Sequence, residues 1–337
     1  MTRPRLLWLT DRSEWHQQRA LEAAPSDIEV IMRRHPAEAD LLALLPSTEF
    51  VVSERSEPVT AAMIAAAPNL KLILRHGSLS YDIDIDAATK AGVKVSVQPV
   101  LGTVTCAEHA LMMMLAVVKR LRRGLDAALR ADHGLPPKRT DENTFAYNWL
   151  GYTDIGRLIG SAVAILGMGE IGVELTRRLI AFRPSAILYN KRRPFPPSVE
   201  RELRLTYADL ATCVQQADVL VSLLPYGSET DQMLNAAVFA RMKPTAAIIH
   251  AGSGSVIDEQ ALIAALQAGQ LMGAALDTYE YEPLQPDHPL VQAARDPHLN
   301  LLLTPHTAGA SLPPGRADDY AEIVRFLRNE PLHFAVN

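Results

Sequence analysis

The sequence predicts an α/β protein of two domains, each built on a parallel sheet. The first hundred residues alternate between short apolar runs and helical stretches, which is typical of a parallel sheet covered by helices on both faces. Residues 161–193 read as a strand, a glycine-rich turn, a helix and a second strand, the order of a βαβ unit. A length of 337 residues gives room for two domains, each with its own core.

Five strands and four helices are expected in the first domain. The strands are Arg5–Thr10, Ile28–Met32, Phe50–Val52, Leu72–Leu74 and Val93–Val97. The helices lie near Glu14–Ala23, Ala37–Leu45, Thr60–Ala67 and Ile85–Ala91.

A long helix is predicted next, from Ala107 to about Leu129, because its apolar residues repeat at intervals of three and four. We expect this helix to carry the chain across to the second domain. The stretch 131–159 is irregular and contains two adjacent prolines, a charged run and three aromatic residues. A loop of this length needs a function, and both a dimer arm and a cleft cover are open interpretations.

The C-terminal tail, Ala317–Arg328, reads as an amphipathic helix that returns to pack on the first domain. Its predicted buried face contains Tyr320, Ile323, Val324 and Leu327.

The most informative segment is the turn Gly167-Met168-Gly169-Glu170-Ile171-Gly172, which follows the apolar strand Val163–Leu166. Its first glycine permits a tight turn, the second lets a pyrophosphate approach the backbone, and the third allows close packing of helix on strand. The helix that follows, to about Phe182, would direct its positive N-terminal end at the phosphates. The strand Ala186–Tyr189 completes the unit, which predicts a dinucleotide site.

The residue after that second strand indicates which dinucleotide binds. NAD sites usually carry an acidic residue there, which accepts hydrogen bonds from the ribose. This chain has Asn190, followed by Lys191, Arg192 and Arg193. Loss of the acid removes a repulsive charge and the cations can bind a 2′-phosphate, so NADP is the expected cofactor, with NAD possible. The alternative is a solvated basic loop.

Composition excludes several other classes of protein. A hydrophobic content of 48% with 21% charged residues is typical of a globular protein, and a net charge of −5 argues against nucleic acid or an anionic membrane as partner. The two cysteines, Cys106 and Cys213, lack metal-ligand spacing, so neither a zinc site nor a disulfide framework is expected. Leu6–Leu9 is too short for a signal peptide, and the apolar run Ala110–Val118 ends at Lys119, too short to span a bilayer. A cytoplasmic location is expected.

Over nearly its whole length the chain resembles the D-isomer-specific 2-hydroxyacid dehydrogenases. Besides the glycine motif, the matching stretches are 70–73, 84–93, 107–109, 242–244, 256–259, 275–277, 280–283 and 304–306. The resemblance implies two Rossmann-like domains around a cleft. A flavodoxin-like substrate domain would comprise residues 1–100 and 310–337, and a doubly wound NAD(P)-binding domain would comprise 101–309, including the irregular insertion 131–159. It also implies a nicotinamide cofactor, a small-molecule substrate and a homodimer.

The resemblance gives several residues specific roles. His306 matches the catalytic acid/base, and Glu282 matches the carboxylate that orients this imidazole and favours its protonated form. Asp277 matches a contact to the nicotinamide carboxamide, although a turn residue at a strand end is the structural alternative. Two strand-end loops are expected to pass the cofactor: Leu224-Pro225 and Ala251-Gly252.

Four other polar residues near the matched motifs receive no catalytic role. Asp258 is expected to cap a helix that begins at Glu259. Glu108 and His109 are placed at a helix start, where capping and packing are the simpler interpretation. Cys106 would lie near the nicotinamide, but a small buried residue explains it equally well.

The third catalytic residue of the family is an arginine that binds the substrate carboxylate, and here the sequence departs from the family. Alignment of the flanking motifs places Ser253 at that position. Serine offers one neutral hydrogen bond in place of a charged fork. Loss of a charge-assisted bond, roughly 1.5–3 kcal/mol, corresponds to about ten- to a hundred-fold in transition-state binding.

The loop expected to receive the substrate carboxylate also differs from the family's glycine-rich pattern. It reads Arg75-His76-Gly77-Ser78-Leu79-Ser80-Tyr81, and Leu79 and Tyr81 would narrow the pocket. Its expected substrate contacts are Arg75, Gly77, Ser78 and Leu79.

Three explanations of the missing arginine are open. Arg75, His76 or Arg55 supplies the cation, the substrate lacks a carboxylate, or the protein binds cofactor with little turnover. The first two predict an NADP-preferring oxidoreductase, which we favour, and the third predicts a nucleotide-sensing binding protein.

Overall fold

The computed structural model describes residues 3–54, 58–310 and 316–337. The chain divides into two compact units, one formed by Met1–Thr103 with Ser311–Asn337 and the other by Val104–Ala310. Arg55, one of the cations considered for the substrate, lies outside the described residues.

The first unit is built on a five-stranded parallel sheet in the order β2-β1-β3-β4-β5. Its strands are β1 (Arg5–Thr10), β2 (Glu29–Arg33), β3 (Phe50–Glu54), β4 (Leu72–His76) and β5 (Lys94–Gln98). Its helices are α1 (Glu14–Glu22), α2 (Glu38–Leu44), α3 (Ala61–Ala65) and α4 (Ile85–Lys90). The five predicted strands are confirmed, and the strand order is that of flavodoxin-like folds.

The second unit is built on a seven-stranded parallel sheet in the order β12-β11-β10-β9-β6-β7-β8. Its strands are β6 (Ala162–Leu166), β7 (Ala186–Asn190), β8 (Leu205–Tyr207), β9 (Val219–Ser222), β10 (Ala247–His250), β11 (Gly273–Leu276) and β12 (Leu301–Leu303). Its helices are α5 (Leu101–Val118), α6 (Leu121–Arg130), α7 (Glu170–Leu179), α8 (Pro197–Leu203), α9 (Leu210–Gln216), α10 (Ala236–Phe239), α11 (Glu259–Gln267) and α12 (Pro289–Arg295). The predicted α/β class is confirmed.

The strand order of the second sheet reverses between β6 and β9, where β6 pairs with β7 on one side and β9 on the other. A doubly wound sheet opens a crevice at the carboxyl ends of the strands at this point. The glycine motif follows β6 directly, so the sequence places it in this crevice.

The predicted single helix from Ala107 to Leu129 is wrong, because α5 ends at Val118 and α6 begins at Leu121. Between them Arg120 has a φ of 51° and its guanidinium pairs with Asp154 at 2.7 Å. The amide of Gly156 also donates to the Val118 carbonyl at 2.9 Å, in place of a continuing helix bond. These tertiary contacts override the local periodicity.

Among the described residues, α5 is the one helix long and apolar enough to cross a membrane by length and composition. The apolar run Ala110–Val118 is its C-terminal half. The core helix of a globular domain can have the same length and apolar composition, so these two features do not establish a membrane span.

Residues 131–161 contain no helix or strand. Together with α6 they carry a concentration of exposed apolar side chains: Leu121, Leu125, Leu129, Leu135, Phe145, Tyr147, Trp149, Ile155 and Ile159.

The C-terminal tail forms a 3₁₀ turn, Ala317–Tyr320, and then helix α13 (Ala321–Leu327). Tyr320 and Ile323 pack against the first sheet beside Trp8 and Phe50. Leu327 is 38% exposed, so its predicted place on the buried face is wrong. The neighbouring Phe326 packs against this core instead.

Candidate active site

The glycine turn is held tightly at the end of β6. Gly167 has a φ of +82°, and a Cβ there would lie 2.8 Å from the backbone of Leu223. The amides of Gly167 and Met168 donate to the Asn190 carbonyl at 3.1 and 3.2 Å. A residue with a side chain is therefore excluded at Gly167 by both conformation and space.

The other two glycines have different surroundings. A Cβ on Gly169 would meet nothing within 4 Å, whereas one on Gly172 would lie 2.7 Å from the Met168 sulfur. Gly169 caps the ten-residue helix α7, whose first turn presents backbone N–H groups. Open space beside Gly169, at a helix N-terminus in the crevice of the sheet, fits a bound pyrophosphate. Glu170 and Ile171 are the first residues of that helix.

The basic loop follows β7. The Asn190 side-chain amide donates to the Ala208 carbonyl at 2.9 Å. Because an amide side chain is neutral, Asn190 presents no charge to a ribose. The Lys191 ammonium lies 3.7 Å from the centroid of the Phe195 ring, and burial lowers the pKa of this lysine. Arg192 and Arg193 are exposed. The loop therefore combines one half-buried cation and two exposed ones.

The two side chains predicted to form the acid/base pair, His306 and Glu282, are in direct contact. The His306 Nδ1 lies 2.6 Å from the Glu282 Oε2, and the other oxygen of Glu282 accepts the Tyr279 amide at 3.0 Å. The His306 side chain is 60% exposed. An imidazole fixed by a carboxylate on Nδ1 and open to solvent can exchange a proton through Nε2.

Asp277 holds the loop that carries His306. Its buried carboxylate accepts the amides of Thr307 and Ala308, both at 2.9 Å, and the Thr304 hydroxyl at 2.6 Å. His306 itself has a φ of +52°, an uncommon conformation for a residue other than glycine. The predicted contact of Asp277 with a nicotinamide stays a prediction, and the structure adds a role in supporting this loop.

Ser253 lies in a constrained turn after β10. Its amide donates to the Leu224 carbonyl at 2.9 Å, and its own carbonyl lies 3.0 Å from the His250 Nε2. A Cβ on the next residue, Gly254, would fall 1.8 Å from the Tyr279 carbonyl oxygen. The Ser253 turn therefore lies directly against the loop that carries Glu282.

The strand-end loops of β9 and β10 also meet. A Cβ on Gly252 would lie 2.5 Å from the Leu224 carbonyl oxygen, so these backbones are in close contact. Ala251 is bonded through its amide to the Ser222 carbonyl at 3.1 Å, and the Pro225 carbonyl accepts the Thr230 hydroxyl at 2.8 Å. The predicted cofactor residues of these two loops are brought together at the carboxyl edge of the sheet.

Several contacts that support these loops were not predicted from the sequence. The Tyr279 hydroxyl donates to the Thr304 carbonyl at 2.7 Å, and Glu259 accepts the Glu280 amide at 3.0 Å. The predicted place of Glu108 and His109 at a helix start is wrong, because both lie within α5. The His109 Nε2 is 3.3 Å from Asp277. Spacing in sequence gave no signal of these contacts, although His109, Glu259, Glu280 and Thr304 all lie in the matching stretches. Asp258 caps α11, as predicted, by accepting the Ala261 amide at 2.9 Å.

Within the described residues of the loop predicted to bind the substrate, Arg75 and His76 are both already engaged by protein groups. Arg75 is 4% exposed and pairs with Asp82 at 3.2 Å, and its Nη1 also donates to the His76 carbonyl. Burial lowers the pKa of His76, whose Nε2 lies 3.1 Å from the Asp319 carbonyl. The option in which Arg75 or His76 supplies the missing charge is therefore not supported.

The neighbours of Arg75 in this loop are closely packed. Gly77, with a φ of 143°, and Ser78 and Leu79 are buried, whereas Tyr81 is exposed. Leu79 is 5% exposed, and its predicted contact with the substrate stays a prediction.

No cluster of three or more metal-ligating side chains occurs within residues 3–54, 58–310 and 316–337. The Cys106 thiol is partly buried, and burial followed by the charge of Asp277 raises its pKa. Neither observation assigns chemistry to the cysteine.

Comparison with known proteins identifies the family. Residues 111–308 match the model of the D-isomer specific 2-hydroxyacid dehydrogenase, NAD binding domain. A glyoxylate reductase from Korarchaeum cryptofilum is 31% identical over 82% of this chain and 78% of its own length. A glyoxylate/hydroxypyruvate reductase B from Klebsiella pneumoniae is 35% identical over 76% of this chain and 74% of its own.

A solved structure of a protein from Pyrococcus horikoshii OT3 is 26% identical, with a TM-score of 0.57 over 99% of this chain and 95% of that one. The family match spans more than half of the chain and includes the glycine motif and both members of the His306–Glu282 pair. The chain therefore belongs to the D-isomer-specific 2-hydroxyacid dehydrogenases and is an NAD(P)-dependent oxidoreductase acting on the CH–OH group of 2-hydroxy acids.

Proposed function

We propose that this protein is an NADP-preferring reductase of small 2-oxo acids or related carbonyl compounds, with His306 as acid/base and Glu282 as its partner. The observation that carries the proposal is the 2.6 Å contact between the two side chains. Packing of the fold does not require contact between an exposed histidine and a glutamate of a separate loop. The relatives that are named as reductases of glyoxylate and hydroxypyruvate support the substrate class.

A nicotinamide cofactor, when bound, would supply hydride for reduction of the carbonyl carbon. The His306 imidazolium donates a proton from Nε2 to the carbonyl oxygen, so one hydride and one proton convert the carbonyl to an alcohol. Glu282 holds Nδ1 and stabilises the positive charge before transfer. Because His306 is exposed, it regains its proton from water.

Asp277 and Tyr279 act on this step as positioning residues. Asp277 accepts the two amides that follow His306, and the Tyr279 amide fixes the orientation of Glu282. Precise placement of reacting groups is a large part of catalysis. In oxidation the same residues would act in reverse, with neutral His306 accepting the proton.

Ser253 occupies the proposed position of the family arginine. Arg75 is ion-paired and His76 is buried, so neither compensates for the lost charge. We therefore infer that a charged contact to a substrate carboxylate contributes less to binding in this protein than in relatives that carry the arginine. Gly77, Ser78 and Leu79 are the proposed substrate-side residues of the first unit, which acts as the substrate domain.

NADP preference is supported by the neutral Asn190 and the cations of Lys191 and Arg192. An acidic side chain at Asn190 would repel a 2′-phosphate, and guanidinium and ammonium groups bind phosphate strongly. Gly167, Gly169 and the start of α7 are the proposed pyrophosphate contacts.

We also propose that the enzyme is a cytoplasmic homodimer. The leucines of α6, spaced four residues apart, and the aromatic side chains of the 131–159 insertion are all exposed. Exposed apolar side chains that come together on a surface mark an interaction site. A second copy is the proposed partner.

The function is tested by following NADPH and NADH oxidation with glyoxylate, hydroxypyruvate, pyruvate and uncharged aldehydes and ketones. We expect turnover with a small 2-oxo acid or related carbonyl compound, and a higher kcat/KM with NADPH. NADPH binding without turnover on any carbonyl compound would contradict the proposal and favour a nucleotide-sensing protein, which the Ser253 substitution also permits. Equal kcat/KM with both cofactors would contradict the NADP preference alone.

A further inference from the structure

Lys191 differs from the two arginines that follow it because its side chain rests on an aromatic ring. Its ammonium lies 3.7 Å from the centroid of the Phe195 ring, within the range of a cation–π interaction. Arg192 and Arg193 are exposed to solvent. The loop therefore contains one cation whose position is restricted before any ligand binds.

The ring beneath Lys191 is itself fixed. Phe195 is 7% exposed, and its amide donates to the Tyr189 hydroxyl at 2.7 Å. The two rings lie with centroids 5.5 Å apart. The same hydroxyl donates to Glu200 on α8 at 2.8 Å, so Tyr189 connects the strand, the basic loop and the next helix.

The fixed lysine is adjacent to the glycine turn. The carbonyl of Asn190, the residue before it, accepts the amides of Gly167 and Met168. Glu170, at the start of α7, is close enough to act electrostatically on Lys191. In a βαβ dinucleotide site, the end of the second strand is the region that meets the adenosine ribose.

We propose that Phe195, held by Tyr189, is a positioning residue that sets selectivity for the 2′-phosphate of NADP by preorganising Lys191. A free lysine loses much side-chain entropy when it binds a phosphate, and a lysine already held on a ring loses less. The ring attracts the ammonium without neutralising it, so the charge stays available to the phosphate. This inference rests on the proposed NADP preference.

The test measures dissociation constants for NADPH and NADH, and for adenosine 2′,5′-bisphosphate and AMP, in wild type and variants. Phe195→Leu should weaken binding of the two 2′-phosphate ligands by about 3- to 30-fold. Affinity for NADH and AMP should change less than about twofold, since ligands without the 2′-phosphate do not use the lysine. Phe195→Tyr retains the ring and should bind nearly as wild type.

Tyr207→Leu is a matched control, because this ring packs on Tyr189 with centroids 5.5 Å apart and is not the ring that holds Lys191. It should leave all four affinities unchanged. In a Lys191→Gln background, Phe195→Leu should cause no further loss of NADPH affinity, which separates positioning of the lysine from packing of the loop. Tyr189→Phe, which removes only the hydroxyl, should give a smaller loss with the same selectivity and serves if Phe195→Leu does not fold.

Equal loss of NADPH and NADH affinity in Phe195→Leu, or an undiminished effect in the Lys191→Gln background, would overturn the inference while leaving the NADP preference standing. A wild-type protein that binds NADPH no more tightly than NADH would overturn the preference and this inference with it. That result is read from the wild type alone, so the two failures are distinct.

Discussion

At the scale of single residues, we propose that Ser253, the predicted position of the family arginine, determines how the substrate is bound. Ser253 has a φ of −83°, which any residue adopts, whereas the neighbouring Gly254 has no room for a side chain. We expect Ser253→Arg to raise kcat/KM for glyoxylate by about ten- to a hundred-fold, because a charge-assisted bond to the carboxylate is restored. Ser253→Gln, of similar length and without charge, is the control. An unchanged kcat/KM in Ser253→Arg would show that Ser253 does not face the substrate.

His250, directly before this turn, makes stability depend on pH. Burial lowers the pKa of His250 to about 4. In the unfolded chain the group titrates near 6.5, so the unfolded state binds more protons between pH 6.5 and 4. The free energy of unfolding therefore falls as pH falls through this window, by about 2–3 kcal/mol at pH 4.5.

Denaturant unfolding at pH 7.5 and 4.5 tests this expectation. His250→Asn should lose less stability than wild type between the two pH values, and His298→Asn, at an exposed histidine of the same unit, should behave as wild type. Equal losses in wild type and His250→Asn would contradict it.

Residue identities in motifs were predictable, but their hydrogen-bond partners were not. The family resemblance predicted the roles of His306 and Glu282, because both lie in stretches that match the family as a set. It did not show that Asp277 accepts the amides after His306, or that Arg75 is paired with Asp82. Such contacts depend on loop conformations that local patterns do not determine.

At the scale of elements, two glycines of the turn are expected to differ in effect. Substitution of Gly167 should lower stability, and substitution of Gly169 should weaken cofactor binding. Gly167→Ala places a Cβ 2.8 Å from the Leu223 backbone at a φ of +82°, so we expect a loss of about 1–3 kcal/mol in the free energy of unfolding. Gly169→Ala meets no atom within 4 Å and should change stability by no more than about 0.5 kcal/mol while weakening NADPH binding. Denaturant unfolding and cofactor titration check the pair. Undiminished NADPH affinity in Gly169→Ala would contradict the proposed pyrophosphate position.

Strands were predicted more accurately than helix ends. A buried parallel strand is a short apolar run, and β1 was found with its bounds as predicted. The break between α5 and α6 depends on the Arg120–Asp154 pair and the Gly156 amide, contacts that are 34 and 38 residues apart in sequence. Helical periodicity across that break gave no sign of them.

At the scale of the whole molecule, the exposed leucines of α6 predict self-association. The wild-type protein should sediment as a dimer, and Leu125→Glu with Leu129→Glu should shift it to monomer, because two charges would be buried in an apolar interface. Glu substitutions at Trp15 and Leu42, exposed apolar residues of the first unit, are the control and should leave the dimer intact. A monomeric wild type in analytical ultracentrifugation would contradict the proposed homodimer.

The α/β class and both sheets followed from alternation of elements and from the βαβ motif, because these patterns report burial directly. The 131–159 insertion shows the opposite case. Its prolines and aromatics indicated an irregular segment, but local sequence patterns do not show what its exposed side chains contact.

We propose that the His306–Glu282 pair performs the acid/base step. Its most direct test is the kcat/KM for carbonyl reduction in wild type, His306→Asn and Glu282→Gln, measured alongside NADPH affinity, with His298→Asn as control. We expect His306→Asn to lower kcat/KM by about 10²- to 10⁴-fold, Glu282→Gln to lower it less, and NADPH affinity to stay within about twofold of wild type, since neither residue contacts the proposed pyrophosphate site. A His306→Asn variant that reduces the substrate as fast as the wild type would contradict the claim.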